Sequence, residues 1–309
     1  MAIREAGGDP LAVLTSVIQD QEQLTRATDI IKKYDKCAYT AAWQIKETIE
    51  LSRALPERAK VENALNALEK YPALINKYDE YLGSTLVEKL RYAALDYPDR
   101  LDDIVSTFTK HEQVINKYEK SHRAARKVAA CLWDAAVKQP DKIADLEATF
   151  EKYAHLIIEK HSGKDAIWCL NYATLKAPEM LENMVYIIEK DDYYLARHIS
   201  TIAWLVPDKL NSTIAAIRQY DGESSEFILD RLALMATNGD FEYFDRAANA
   251  FYTYADTVNQ YTGDAKQQAL EYLSNITFRK ENSEKLNNKD YITAEIKKRT
   301  ELAQIIKPT

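Results

Sequence analysis

Glycine and proline are scarce in this chain, which has 7 glycines and 8 prolines among 309 residues. Because both residues interrupt regular secondary structure, their scarcity favours helices joined by few irregular loops. It also argues against a phosphate-binding loop, and neither a P-loop nor a Rossmann turn motif occurs. The nucleophile motif GxSxG and the zinc motif HExxH are missing too. We therefore find no catalytic motif and expect neither a cofactor nor a bound metal.

Cysteine is equally rare, and Cys37, Cys131 and Cys169 are widely spaced with no CxxC motif. An odd number of distant cysteines indicates reduced, buried thiols rather than a disulfide framework. No apolar stretch approaches the length of about 18 residues that a membrane-spanning helix needs. The opening residues, MAIREAGGDPLAVL, also lack the apolar segment and cleavage site of a signal peptide. We therefore expect a cytoplasmic protein without a membrane anchor.

Acidic residues outnumber basic ones, so the formal net charge is −7 and the isoelectric point is near 5.4. Affinity for nucleic acid comes largely from neutralising phosphates. The charge therefore disfavours a protein that binds polyanions over its whole surface, although it leaves room for a local basic patch.

A six-residue phrase recurs along the chain. Its copies are IKKYDK, INKYDE, INKYEK, IEKHSG and VNQYTG, which begin at Ile31, Ile75, Ile115, Ile158 and Val258. The first four copies are separated by 44, 40 and 43 residues. A period of this length is typical of helical-repeat proteins.

A second phrase marks the boundary between two helices of one unit. A proline followed closely by an acidic residue and then by apolar residues at helical spacing occurs at Pro56, Pro98, Pro140, Pro178 and Pro207. Proline and an acid in the first turn indicate a helix start. We call the small-residue helix before the proline, such as LRYAAL, the first helix, and the helix after it the second helix. The second helix is expected to end near FTKH, FEKY, IEKD or IRQY, which begin at Phe108, Phe150, Ile188 and Ile217.

These units resemble the helix pairs of α-solenoids of the HEAT and armadillo kind, over residues 10–278. The resemblance implies an all-α fold of about seven stacked helix pairs, since one pair cannot bury its apolar face alone. Residues 1–9 are expected to form a flexible lead. Residues 279–309 are expected to form a polar linker and a C-terminal capping helix, whose apolar face would contain Ile292, Ile296, Leu302 and Ile306.

The Lys-Tyr pairs of the repeated phrase are the first candidate for a partner-binding surface. In stacked units the following side chains would form a row: Lys33, Tyr34, Lys77, Tyr78, Lys117, Tyr118, Lys160 and His161. Cations and aromatic rings in a row could hold the carboxylates of a peptide or a nucleic-acid strand. The competing hypothesis is that the ring fills the joint between units while the lysine stabilises the preceding helix end. Core packing is also the expectation for the tryptophans of the first helices, Trp43, Trp133, Trp168 and Trp204.

The absence of catalytic motifs and an architecture built for surface favour a non-enzymatic scaffold that binds a peptide or protein. The alternative is nucleic-acid binding, because some HEAT-like solenoids are DNA glycosylases of the alkylpurine type, with tryptophan and aspartate near the lesion. This chain is similar in having Trp133 beside Asp134, with basic residues just upstream at Arg123, Arg126 and Lys127. A third hypothesis is a structural component that assembles with itself into a homo-oligomer.

Overall fold

The computed structural model describes residues 8–54, 58–159, 163–189, 193–277 and 283–305. In these ranges every regular element is a helix, which confirms the all-α prediction. None of the helices in this part of the chain combines the length and apolarity needed to cross a membrane. The chain divides into two compact units, residues 1–158 and 159–309.

The first unit is built from helices that alternate in length. They are α1 (Pro10–Thr15), α2 (Gln21–Ile31), α3 (Ala38–Ala54), α4 (Arg58–Lys70), α5 (Pro72–Ile75), α6 (Glu80–Asp96), α7 (Leu101–His111), α8 (His122–Lys138), α9 (Ile143–Lys152) and α10 (Ala154–Glu159). The first helices form one layer, in which α3 packs against α6 and α6 packs against α8. The second helices form another, in which α2 packs against α4 and α7 packs against α9.

The second unit follows the same scheme. Its helices are α11 (Gly163–Lys176), α12 (Leu181–Glu189), α13 (Tyr193–Leu205), α14 (Leu210–Ile217), α15 (Gly222–Asn238), α16 (Phe241–Thr253), α17 (Ala255–Val258), α18 (Gly263–Thr277), α19 (Ser283–Leu286) and α20 (Lys289–Ile305). The first helices α11, α13, α15 and α18 pack in that order, and α20 packs against α18. Ile292 and Ile296 of α20 are fully buried, as expected, whereas the side chains of Leu302 and Ile306 lie outside the described residues.

The proline turns repeat in detail. Pro98, Pro140, Pro178 and Pro207 each begin a three-residue 3₁₀ turn, and the second α-helix starts after it rather than at the proline. The residue before each proline has φ between −139° and −148° and ψ between 51° and 65°. Proline disfavours the helical conformation at the preceding residue, and the first helix ends there in each case.

The α15–α16 connection reaches the same result without proline. Gly239 ends α15 in the left-handed region, with φ of 75°, and the amide of Asp240 donates to the Met235 carbonyl over 2.9 Å. This is the glycine-terminated helix end in which an unpaired carbonyl of the last turn receives a donor. The absence of a proline at position 240 therefore leaves the helix-pair scheme intact.

Candidate functional site

Four tyrosines connect one helix pair to the next within a compact unit. We call them the joint tyrosines: Tyr34, Tyr78, Tyr118 and Tyr220. Three of them donate their phenol hydrogen to a main-chain carbonyl: Tyr34 to Leu68 (2.8 Å), Tyr118 to Phe150 (2.6 Å) and Tyr220 to Phe251 (2.6 Å). Tyr78 donates instead to Glu112 Oε2 over 2.7 Å. Tyr34, Tyr118 and Tyr220 are less than a tenth exposed, so these three rings are not available to a ligand. The Tyr78 ring is half-buried.

The three accepting carbonyls occupy equivalent positions. Leu68, Phe150 and Phe251 each lie two residues before the last residue of a second helix, α4, α9 and α16. The last four carbonyls of an α-helix have no partner within the helix. Each joint tyrosine of this kind therefore caps the end of the next second helix, and its own burial raises its pKa and keeps the phenol protonated.

The neighbouring lysines are already paired within the chain. Lys33 contacts Glu69 at 3.3 Å, Lys77 contacts Glu112 at 2.7 Å and Lys117 contacts Glu151 at 2.9 Å. These pairs are partly exposed, so each contributes about 0–1 kcal/mol to stability. The remaining pair of the predicted row, Lys160 and His161, lies outside the described residues.

Similar pairs continue along the second helices. They join residues 32 to 36 positions apart and include Arg26–Glu62, Lys70–Asp102, His111–Glu147 and Lys209–Asp245. A partner with carboxylates would have to displace these acids from the basic side chains they contact. Lys33, Lys77 and Lys117 therefore contact acids of the following helix pair, whereas the competing hypothesis placed them at the preceding helix end.

The asparagine of the repeated phrase makes a further hydrogen bond between neighbouring helix pairs. The side-chain amide of Asn76 donates to the Lys33 carbonyl over 2.8 Å, and that of Asn259 donates to the Gln219 carbonyl over 2.7 Å. Both acceptors directly precede a joint tyrosine, so IRQY at Ile217 is a copy of the repeated phrase. The second helix α14 also ends at Ile217, as predicted, so IRQY marks both a helix end and a joint.

The residues of the nucleic-acid alternative do not form an open site. Trp133 is 1% exposed, and its ring centroid lies 5.2 Å from that of Phe108 in the core. Asp134 is bound to Lys89 over 2.5 Å. Arg123 is exposed, whereas Arg126 and Lys127 are half-buried, and Lys127 has a partner of its own. A buried Trp133 cannot stack on a base.

Sequence reasoning missed a buried arginine between α3 and α6. Arg91 is 1% exposed and donates to Thr48 Oγ1 (2.7 Å) and Gln44 Oε1 (3.2 Å). It also contacts Glu47 Oε2 at 3.3 Å, while Glu47 Oε1 accepts from the Trp43 indole over 2.9 Å. Arg91, Thr48 and Gln44 are buried while Glu47 is half-buried, and the network is internally paired, which is the pattern of a structural contact.

The thiols offer no nucleophile. Cys37, Cys131 and Cys169 are buried and free, which confirms the prediction of unpaired thiols. Burial raises the pKa of Cys37 to about 11 and that of Cys169 to about 12. Because the thiolate is the reactive form, these groups are inert near neutral pH. Within the described ranges, no three or more side chains of the metal-binding types are grouped closely enough to hold an ion.

Trp204 is the main departure from the expected core. It is 79% exposed, whereas Leu175, at the equivalent position of α11, is 7% exposed. Leu205 beside it and Leu234 of α15 are each 43% exposed. The sequence signal that could have revealed this is WLV before Pro207, because three consecutive apolar residues at the end of a helix cannot all face the core, and the buried one is Val206.

The register of α13 against α15 places Leu205 and Leu234 on the same side of the two packed helices. His198 Nε2 of α13 is 3.7 Å from Asp230 Oδ1 of α15. Leu205 follows His198 by seven residues, about two turns, and Leu234 follows Asp230 by four, about one turn. Both leucines therefore lie on the side of that pair, toward the C-terminal ends of the two helices.

Tyr172 of α11 extends the same surface. Its pKa is raised by burial and then by the charges of Glu179 and Asp208. Asp208 belongs to the turn that follows α13, and α13 packs against α11, so its charge acts on the Tyr172 hydroxyl from the end of the neighbouring first helix. We call Tyr172, Trp204, Leu205 and Leu234 the Trp204 surface.

No family model, curated protein or solved structure matches this chain at a significant level.

Proposed function

We propose that this protein is a non-enzymatic interaction scaffold whose helix pairs stack as in an α-solenoid of about seven repeats, and which binds a peptide or protein partner. The packing of first helices on first helices and of second helices on second helices within each unit supports the stacking. The inert thiols and the enclosed Arg91 network give no support to a catalytic role.

The observation that carries the proposal is the exposure of Trp204. Tryptophan is among the most enriched residues at interface hot spots. Covering a side chain with this exposure removes on the order of 150–200 Å² from water, which is worth roughly 4–5 kcal/mol before the cost of association. A single exposed apolar residue is ordinary, but here Leu205 and Leu234 extend the patch.

The predicted row of lysines and tyrosines is not the proposed binding surface, because the rings and cations of its described members, Lys33 to Tyr118, have partners within the chain. The nucleic-acid alternative is similarly weakened by the burial of Trp133. The partner-binding residues that we propose are therefore those of the Trp204 surface.

A pull-down from the native lysate tests the proposal. The tagged full chain and its Trp204→Ser variant are used as bait, each with and without nuclease. We expect a stoichiometric protein that survives nuclease treatment and that is lost with Trp204→Ser.

Tyr81→Ser is the matched control, because Tyr81 is an aromatic residue with 62% exposure that belongs to the first compact unit, whereas the Trp204 surface belongs to the second. It should retain the partner. Recovery that depends on nucleic acid would favour the alternative, and equal recovery by both variants would refute the proposed surface. Self-association that persists in both variants would favour the structural component.

A further inference from the structure

Negative charge is concentrated in one part of the chain. Residues 178–258 contain fourteen acidic and six basic residues, so their net charge of −8 exceeds the −7 of the whole chain. The remaining residues therefore carry a net charge of +1. The Trp204 surface lies within or beside this acidic segment.

The cations of the segment are largely occupied by contacts within the chain. Lys209 pairs with Asp208 and Asp245, and three arginines lie over aromatic rings: Arg218 over Tyr186, Arg231 over Phe227 and Arg246 over Tyr243. Asp208 contacts Lys209 and Asp230 contacts His198, yet both acidic side chains are mostly exposed, at 70% and 55%. Because the acids of the segment outnumber its basic residues by eight, its surface field is negative.

The acids frame the apolar patch. Asp230 lies one helical turn before Leu234, and Asp208 lies four residues after Trp204. Glu179 is exposed and lies near the Tyr172 hydroxyl together with Asp208. An apolar centre with a charged rim is the usual anatomy of a protein interface.

We infer that the Trp204 surface receives a basic linear segment of another protein, with apolar side chains that cover Trp204, Leu205 and Leu234 and with lysines or arginines that face Glu179, Asp208 and Asp230. This inference rests on the proposed function and specifies its partner. An acidic partner or a nucleic acid would meet like charge here, which disfavours association. A guanidinium could in addition lie over the exposed face of Trp204 in a cation–π contact.

A phage-displayed library of random peptides, panned on the full chain with counter-selection on the Trp204→Ser variant, provides the probe. We expect the enriched peptides to have a net positive charge and at least one aromatic or large aliphatic residue. Synthetic, fluorescein-labelled copies are then titrated by fluorescence anisotropy. Trp204→Ser should weaken their binding by about thirty-fold or more, as expected for an aromatic hot spot.

The charge is tested separately. The double variant Glu179→Gln/Asp208→Asn should weaken peptide binding about three- to ten-fold at an ionic strength near 0.05 M, and much less near 0.3 M, where screening is stronger. The matched control is Asp99→Asn/Asp141→Asn, which changes two exposed acids in the equivalent proline turns of the first unit. It should leave the affinity unchanged. Far-UV circular dichroism verifies that each variant is folded.

Two failures are distinguishable. Enrichment of neutral or acidic peptides whose binding needs Trp204 would overturn the basic partner and leave the scaffold function standing. Failure to enrich any peptide, or binding that is indifferent to Trp204→Ser, would overturn both. Equal losses in the two double variants would also contradict the inference, because they would show a general charge effect.

Discussion

Replacement of Tyr118 by phenylalanine removes a single hydroxyl group from the joint between two neighbouring helix pairs. The aromatic ring, which is fully buried, keeps its shape and its packing. The hydroxyl donates over 2.6 Å to the Phe150 carbonyl in the last turn of α9. Without it, that carbonyl loses its donor in a place that water does not reach easily.

The expected cost follows from these two terms. A typical hydrogen bond contributes about 1 kcal/mol net, and a buried polar group left without a partner costs about 1–3 kcal/mol. We therefore expect Tyr118→Phe to lower the free energy of unfolding by about 1–3 kcal/mol. The effect should be largest near α9, because in stacked repeats each unit is held chiefly by its neighbours.

Urea denaturation followed by circular dichroism measures the global loss, and hydrogen exchange of the last turn of α9 measures the local one. A local loss of 1–2 kcal/mol corresponds to exchange that is about 5- to 30-fold faster. Tyr220→Phe should behave alike at the end of α16, since its bond to Phe251 has the same length. Tyr81→Phe, at an exposed ring, is the control and should change neither quantity.

The reasoning is refuted if Tyr118→Phe leaves both the unfolding midpoint and the exchange of α9 unchanged while the fold is intact. A loss equal to that of Tyr81→Phe would have the same meaning. In either case the phenol would be an incidental contact and not the cap of a helix end.

Two further predictions concern alkaline pH and the buried arginine. Burial raises the pKa of Tyr272 to about 12 and raises those of the joint tyrosines as well, whereas an unfolded tyrosine titrates near 10. Since the unfolded state then loses protons first, stability should be full below about pH 10 and fall as the pH rises toward 12, as measured by urea denaturation at successive pH values. A pH-independent midpoint in that range would contradict the assignment. Arg91→Ala should cost about 3–5 kcal/mol, because it leaves its partners in α3 unpaired. Arg26→Ala, at a more exposed pair, should cost about 1 kcal/mol or less in the same assay.

Local sequence rules account for much of what the structure contains. The rule that proline forbids a helical residue before it predicts where each first helix stops, and the same backbone geometry is found before Pro98 and before Pro207. The rule was less accurate for the second helix, since a 3₁₀ turn intervenes. Recurrence of INKY at Ile75 and Ile115 indicated a repeated joint, and the bond from Asn76 to the preceding copy shows how one such joint is made.

The candidate site was less predictable than the fold. Lys33 and Tyr34 were distinctive in the sequence because they recur, and they recur because the joint between units recurs. Trp204 was unremarkable in the sequence because it occupies a position that is apolar in the other units. Its exposure depends on which side of α13 faces α11 and α15.

The sequence by itself determined the helical class, the positions of the turns and the repetition of the joint. Each of these depends on interactions between residues a few positions apart: proline sterics, helix-end capping and apolar spacing. Only the tertiary structure decided that the tyrosines cap a helix end of the next helix pair, that Arg91 is buried and that Trp204 is exposed to solvent. These facts depend on contacts between residues 31 to 47 positions apart, or on the absence of such contacts, and a local pattern does not encode them.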